Sequence, residues 1–315
     1  MFRKKTGVDG WTAMGSYWSL LGSVTLPLFL ICVFGAVLYQ WRRVDTVSLA
    51  DISLYILAPC LLITALAGAQ VSGGSLLSVL WFTVIQTALC WIVAVLVGRI
   101  CRLRPETRAS MTLTTLFSNS NNYGLPVLLL AYGTKGFSLG ATYVVGQVIL
   151  VNTLGLYIAS RANGSPRQAI KKIAQTPLIY AAIIGLGLYF FAVHIPAPLE
   201  STLKLAGDAY PVIVLLILGI QLRKIQLSGM RRYDIWISVG LRVLIVPLLS
   251  LLTLRMLGIH GLLASILFVE SSMPAAINAT VLVEKYGGDK QNVALTVAIT
   301  TILSFATLPL LMRLG

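Results

Sequence analysis

The sequence predicts an all-α polytopic membrane protein: ten transmembrane helices in two inverted five-helix repeats, with spans 4 and 9 broken and crossing. Three observations lead there. Of 315 residues, 57% are apolar and only 11% charged, against about 25% charge in soluble domains. The apolar residues fall into ten runs, and the two halves carry matching interruptions. A mean hydropathy of +0.87 excludes an ordinary soluble fold, a disordered chain and a small disulfide scaffold. Ten spans of about 20 residues use about 200 positions and leave roughly 115 for loops and ends. No second soluble domain fits in that remainder.

Residues 1–19 contain Trp11, Tyr17 and Trp18 and read as an interfacial lead-in, where aromatic rings settle at the headgroup level. The spans follow at about 20–39, 47–68, 75–98, 108–132, 137–160, 176–194, 199–221, 233–257, 261–286 and 290–312. Span 2 carries LADISLYILAPCLL from Leu49, and span 7 carries LAGDAYPVIVLL from Leu205. Each has an aspartate, Asp51 or Asp208, upstream of a proline, Pro59 or Pro211. Spans 4 and 9 end on Tyr132-Gly133 and Tyr286-Gly287 and are interrupted near their centres. Five spans per half is an odd number, so the second copy enters the membrane upside down. Inverted repeats of this kind mark secondary transporters. The domains are therefore a lead-in at 1–19, a first repeat at 20–160, a cytoplasmic linker at 161–175 and a second repeat at 176–315.

The formal charge of +14 lies in the short loops and indicates topology rather than nucleic-acid binding. Loops after the odd-numbered spans hold sixteen of the 24 Lys and Arg, including Arg42, Arg43, Arg223 and Lys224. The positive-inside rule makes that side cytoplasmic and turns both termini outward. The Arg3–Lys5 cluster is the basic group that runs against this orientation.

Two segments carry the chemistry. In the first, Ser118, Asn119, Ser120, Asn121 and Asn122 form five consecutive polar residues in mid-span, followed by Tyr123-Gly124-Leu125-Pro126. A lipid-facing helix cannot hold that run without a large desolvation cost. Pro126 lacks an N–H and disfavours helix at Leu125, while Gly124 tolerates the dihedrals of a break. In the second, Glu270 sits in LASILFVE, and Ser271, Ser272, Met273 and Pro274 interrupt the run before Asn278. Two half-helix pairs meeting at the midplane offer N–H groups and positive dipole ends to an anion, and carbonyls to a cation or proton donor. Irregular backbone at that depth must be buried in protein or line a cavity.

Intramembrane charges complete the candidates. Arg242 lies about ten residues into span 8, too deep to snorkel, and is expected to pair with Glu270, Asp208 or Asp51, or to attract a carboxylate. Glu270 is the candidate for carrying H⁺ or ligating Na⁺. Asp51 suits a helix start, and Asp208 lies deeper, ahead of Pro211. Cys32, Cys60, Cys90 and Cys101 form no CxxC pair, and His194 and His260 stand apart at span ends, so no metal site is expected. No phosphate-binding glycine loop or nucleophile–base set is present, and no enzyme or cofactor is expected.

At these residues the chain resembles the auxin efflux carrier family, which includes plant auxin exporters and bacterial permeases for dicarboxylates such as malate and malonate. The family pattern N-x-G-x-x-G-x-P is matched by Asn119 to Pro126, with Asn121 where the family usually has glycine. Bacterial members show E-x-x-M-P-x-x-x-N-A, here Glu270, Met273, Pro274, Asn278 and Ala279. The YGGD at Tyr286 to Asp289 and the TLPLL near Pro309 also fit. The resemblance implies ten spans, a scaffold and a moving transport domain, elevator motion and an organic anion as substrate. It also implies a bile-acid-symporter-like fold, whose sodium site uses a similarly placed glutamate, and a homodimer through the scaffold. The short 161–175 loop favours a bacterial permease of the cytoplasmic membrane. The expected function is a secondary transporter of a small carboxylate. Asn119, Asn121, Asn122 and Asn278 would bind the substrate, with Gly124, Pro126 and Pro274 shaping the break. The alternatives are a Na⁺-coupled symporter and a ligand-binding sensor.

Overall fold

A computed structural model describes residues 17–68, 73–160, 175–225 and 229–314. These residues form α1 (Tyr17–Arg42), α2 (Thr46–Ala67), α3 (Gly73–Ile100), α4 (Pro105–Leu116), α5 (Ser120–Ala159), α6 (Pro177–Phe190), α7 (Ala197–Lys224), α8 (Tyr233–Met256), α9 (Gly261–Ser271), α10 (Asn278–Tyr286) and α11 (Lys290–Leu314). Seven of them, α1, α2, α3, α5, α7, α8 and α11, are long and apolar enough to cross a membrane. Helices α6 and α9 are apolar but shorter, at 14 and 11 residues.

Several expected boundaries move. Residues 17–19, expected as the end of the lead-in, are the first turn of α1, where the Tyr17 hydroxyl donates to the Ala306 carbonyl at 3.0 Å. Spans 4 and 5 are joined by a kink rather than a longer loop. Within α5, two helices meet at Gly133, whose backbone (φ 64°, ψ −161°) breaks the helix at the start of the expected gap, 133–136. The linker at 161–175 falls almost wholly outside the described residues. Asp51 does not start a helix. Asp45 does: its extended backbone (φ −69°, ψ 116°) aims the carboxylate at the Val47 and Ser48 N–H groups. Asp51 sits two turns further on and is exposed.

Proline shapes the helix interiors by one recurring device. A π-helical turn precedes Pro27, Pro59, Pro126 and Pro247, spanning Leu21–Thr25, Ser53–Leu57, Ser120–Gly124 and Leu241–Ile245. In each case the proline is the second residue after the turn. The ring clashes with the carbonyl four residues back and offers it no N–H. A turn widened to i→i+5 bonding accommodates both.

The helices pack in two groups. In one, α1 lies along the second half of α7, and α2 packs on α6 and the first half of α7. In the other, α3 packs on α4, α5 and α8, while α11 packs on α4, α8, α9 and α10. Lipid tails are as apolar as leucine, so helix association in a membrane depends on close approach more than on apolar burial. The α1–α7 seam shows this. A Cβ on Gly35 would lie 2.1 Å from the Leu216 carbonyl oxygen, and one on Gly219 would lie 1.8 Å from that of Cys32. The groups meet where Leu28, Cys32, Leu215 and Leu218 pack against Tyr123, Val127, Val269 and Met273.

Candidate substrate site at two helix breaks

Helix α4 stops at Leu116, Phe117 is extended (φ −104°, ψ 120°), and helix resumes at Ser120. Helix α9 stops at Ser271 and α10 begins at Asn278. The two irregular stretches pair with each other. Ser118 and Ala275 form an antiparallel bridge; the Asn119 N–H donates to the Pro274 carbonyl at 2.8 Å, and the Ala276 N–H donates to that of Phe117 at 2.9 Å. Helix α11 adds the Thr300 hydroxyl, which accepts from the Ala275 N–H at 3.1 Å.

Arg242 takes a role different from those expected. Its guanidinium is buried and hydrogen-bonds carbonyls rather than a carboxylate. Nε and Nη2 donate to Met273 O at 2.8 and 2.6 Å, Nη2 also to Ser271 O at 2.8 Å, and Nη1 to Thr115 O at 2.8 Å. Thr115 and Ser271 lie in the last turns of α4 and α9, where carbonyls lack helical partners and the dipoles turn negative. One fixed cation thus caps both helix C-termini. The expected pairing with Glu270, Asp208 or Asp51 is absent because these freed carbonyls consume its donors.

Glu270 is fully buried at the end of α9, wedged between two glycines. A Cβ on Gly124 would lie 2.3 Å from Oε2, and one on Gly140 would lie 3.0 Å from Oε1. Neither oxygen has a hydrogen-bond partner of good geometry, though the Ser120 hydroxyl lies beside the carboxylate. The Ser118 and Ser120 hydroxyls hydrogen-bond at 2.5 Å. Gly124 therefore serves close approach to Glu270 rather than the break expected of it: its dihedrals are helical (φ −63°, ψ −49°), and the irregular residues lie upstream, at 117–119.

The asparagines divide. Asn119 is buried, and its Nδ2 has no protein partner. Asn121 donates to the Asn122 side chain at 3.1 Å, and both are half-buried. Asn278 is the first residue of α10 and is exposed. Asp208 is removed from the breaks. It ends the first half of α7 and lines a cavity of about 620 Å³ with Ser138, Lys135, His194 and Lys204.

Tyr210, absent from the sequence-derived candidates, belongs to the site. Its hydroxyl reaches from α7 to both the backbone carbonyl and the side-chain oxygen of Asn121, each at 3.0 Å. It ties one helix group to the irregular stretch of the other. The signal was available, since Tyr210 stands between Asp208 and Pro211. Gly140 carries no such sequence signal.

The membrane transport protein family matches this chain over residues 23–312. The chain is 28% identical over 309 residues to an uncharacterized transporter of Methanothermobacter thermautotrophicus, covering 94% of this chain and 97% of the relative. It is 26% identical over 295 residues to an uncharacterized transporter of Methanocaldococcus jannaschii, covering 91% and 95%. With nearly the whole helical assembly inside the match, the chain belongs to the membrane transport protein family, the family of the auxin efflux carriers.

Proposed function

We propose that this membrane transporter moves a small mono- or dicarboxylate by alternating access, with the paired breaks as its binding site. The observation that carries the reading is the backbone pairing of 117–119 with 274–276 beside the unpartnered Asn119 amide and Glu270. Asn119, Asn121, Asn122 and Asn278 hydrogen-bond the carboxylate, and the starts of α5 and α10 direct positive dipole ends toward it. Pro126 and Pro274 keep the half-helices apart.

In this reading α4 with the first part of α5 is span 4, the rest of α5 is span 5, and α9 with α10 is span 9. That gives ten spans in two inverted repeats, 20–160 and 176–315, with both termini outside. Helices α1, α2, α6 and α7 form the scaffold, through which two copies dimerise, and the other group moves past it as an elevator. The membrane is the cytoplasmic membrane of a bacterium. Glu270 carries the coupling proton. Arg242 already holds the Thr115, Ser271 and Met273 carbonyls that a Na⁺ ion would need, which favours H⁺ over Na⁺.

Uptake of labelled malate, malonate and monocarboxylates into proteoliposomes tests this reading, with and without Na⁺ and across a pH gradient. Saturable, proton-driven uptake that Asn119→Ala and Asn278→Ala each reduce at least about tenfold is expected; a lost hydrogen bond to a charged group is worth about 1.5–3 kcal/mol. Normal transport by both variants refutes the site, and binding without flux makes the chain a sensor.

A further inference from the structure

The close α1–α7 seam has a consequence at its basic end. Because Gly35 and Gly219 let the two backbones touch, the last turns of α1 and α7 emerge side by side, and their cations converge. Tyr39, Gln40, Arg43, Arg223 and Lys224 line a cleft of about 270 Å³. The Arg43 guanidinium carbon lies 5.2 Å from the Tyr39 ring centroid, and the Lys224 ammonium lies 4.8 Å from the same centroid. Two cations thus share one ring, at an electrostatic cost to each other. Arg43 holds left-handed backbone (φ 49°, ψ 45°), which is disfavoured for a side chain of its size. Among the described residues no carboxylate forms an ion pair with Arg43, Arg223 or Lys224. The nearby Asp45 commits its oxygens to the start of α2. Among the described residues Lys224 donates to the Thr46 hydroxyl at 3.0 Å, and Asp45 attracts it without an ion-pair contact. Trp41, 78% exposed on the final turn of α1, sets this level at the membrane interface.

We propose that this cleft is a binding site for a phosphate-bearing anion, with the phosphodiester headgroup of an anionic lipid as its occupant. Size, depth and charge agree. The cleft holds a phosphate group, the aromatic residues place it at headgroup level, and the cations between adjacent helices match the basic pockets that take anionic headgroups. A lipid held there bridges α1 and α7 and braces the seam without touching the helix breaks.

Native mass spectrometry of the purified full chain, delipidated and titrated with phosphatidylglycerol or phosphatidylcholine, tests the site. One phosphatidylglycerol retained in preference to phosphatidylcholine is expected. Arg43→Gln, Arg223→Gln and Lys224→Gln each weaken retention roughly fivefold, and the triple variant roughly a hundredfold, at about 1 kcal/mol per basic residue near an anionic surface. Lys285→Gln, which removes a single cation lying over Tyr286, leaves retention unchanged. Gel filtration confirms that the variants are folded, and Arg223→Gln alone, at the exposed end of α7, keeps the test intact if the triple variant is not. Displacement of the lipid by millimolar inorganic phosphate assigns the same site to a soluble phosphate; failure to displace assigns it to the lipid. Equal retention of both lipids, or unchanged retention by the triple variant, overturns the proposal.

Discussion

Alanine at position 124 isolates the contact on which the proposed coupling depends. Gly124 has ordinary helical dihedrals (φ −63°, ψ −49°), so its backbone does not demand glycine. The space does. The new methyl would sit 2.3 Å from Glu270 Oε2 and 2.8 Å from Cδ, and retreat is limited because Gly140 faces Oε1 from the other side. Overpacking of this kind costs about 1–3 kcal/mol. Replacing a helical glycine by alanine returns up to about 1 kcal/mol, so the net loss is about 1–2 kcal/mol. Gly240→Ala is the control, with helical dihedrals (φ −61°, ψ −42°) and no atom within 4 Å, and it gains up to about 1 kcal/mol. Thermal unfolding in detergent reads both. Glu270→Asp withdraws the carboxylate by one methylene, so a double-mutant cycle with Gly124→Ala should show favourable coupling of about 1 kcal/mol. If Gly124→Ala melts at or above the wild type, or the two substitutions simply add, the wedge is not there.

The remaining predictions concern the groups around that wedge. Arg242→Gln leaves the Thr115 and Ser271 carbonyls without their charged donor and should cost at least about 3 kcal/mol, at about 1.5–3 kcal/mol per hydrogen bond to a charged group. Wild-type melting should be the same in sodium and potassium chloride, and a stabilisation specific to sodium refutes the assignment of those carbonyls to arginine. Tyr210→Phe removes the donor to Asn121 and should lower stability by about 1–2 kcal/mol, with Asn121→Ala non-additive in the same background. At the basic end, partial burial would raise the Asp289 pKa, but Arg232, the Asn292 N–H and Thr107 together hold it below the usual carboxylate value. The folded-state pKa is depressed, so its contribution is present above the unfolded value of about 3.9 and is lost as pH falls through the folded value. The melting temperature should therefore drop only in that acidic window, and Asp289→Asn should remove part of the drop.

The helix breaks were legible because their cause is local. The polar run from Ser118 and the serine run before Pro274 marked both breaks, although the first falls at 117–119, and Gly124 to Pro126, where the break was expected, are helical because a π-helical turn accommodates the proline. What each break touches was not legible, because several partners lie far away in the chain: Thr115 is 127 residues from Arg242, and Asn121 is 89 residues from Tyr210. Arg242 shows the limit. A buried arginine in a sequence calls for a carboxylate, and two helix ends whose carbonyls substitute for one appear only once the ends converge. Asp51 and Asp45 show the reverse case. Both precede apolar runs, and capping is decided by which one stands just outside the first turn with extended backbone. Asp208 and Tyr210 are two residues apart, and that spacing on α7 turns one toward an exposed cavity and the other into the core.

Breaking a helix at bilayer depth is tolerable only if the freed backbone groups find partners, and here many do so within the protein. The Phe117 carbonyl and the Asn119 N–H are matched across the two breaks, the Ala275 N–H by Thr300, and the Thr115, Ser271 and Met273 carbonyls by Arg242. The Asn119 carbonyl accepts from both Tyr123 and Gly124. The side chains around them are less complete: Asn119 Nδ2, Ser272 Oγ, Thr296 Oγ1 and both Glu270 oxygens are buried without a hydrogen-bond partner. Each such group costs about 1–3 kcal/mol, and similar groups lie away from the breaks as well, at Thr25, Ser53, Thr87 and Gln147. What distinguishes the breaks is the backbone itself: pairing across the two breaks and the Arg242 donors hold the irregular stretches in place, as the proposed binding site requires.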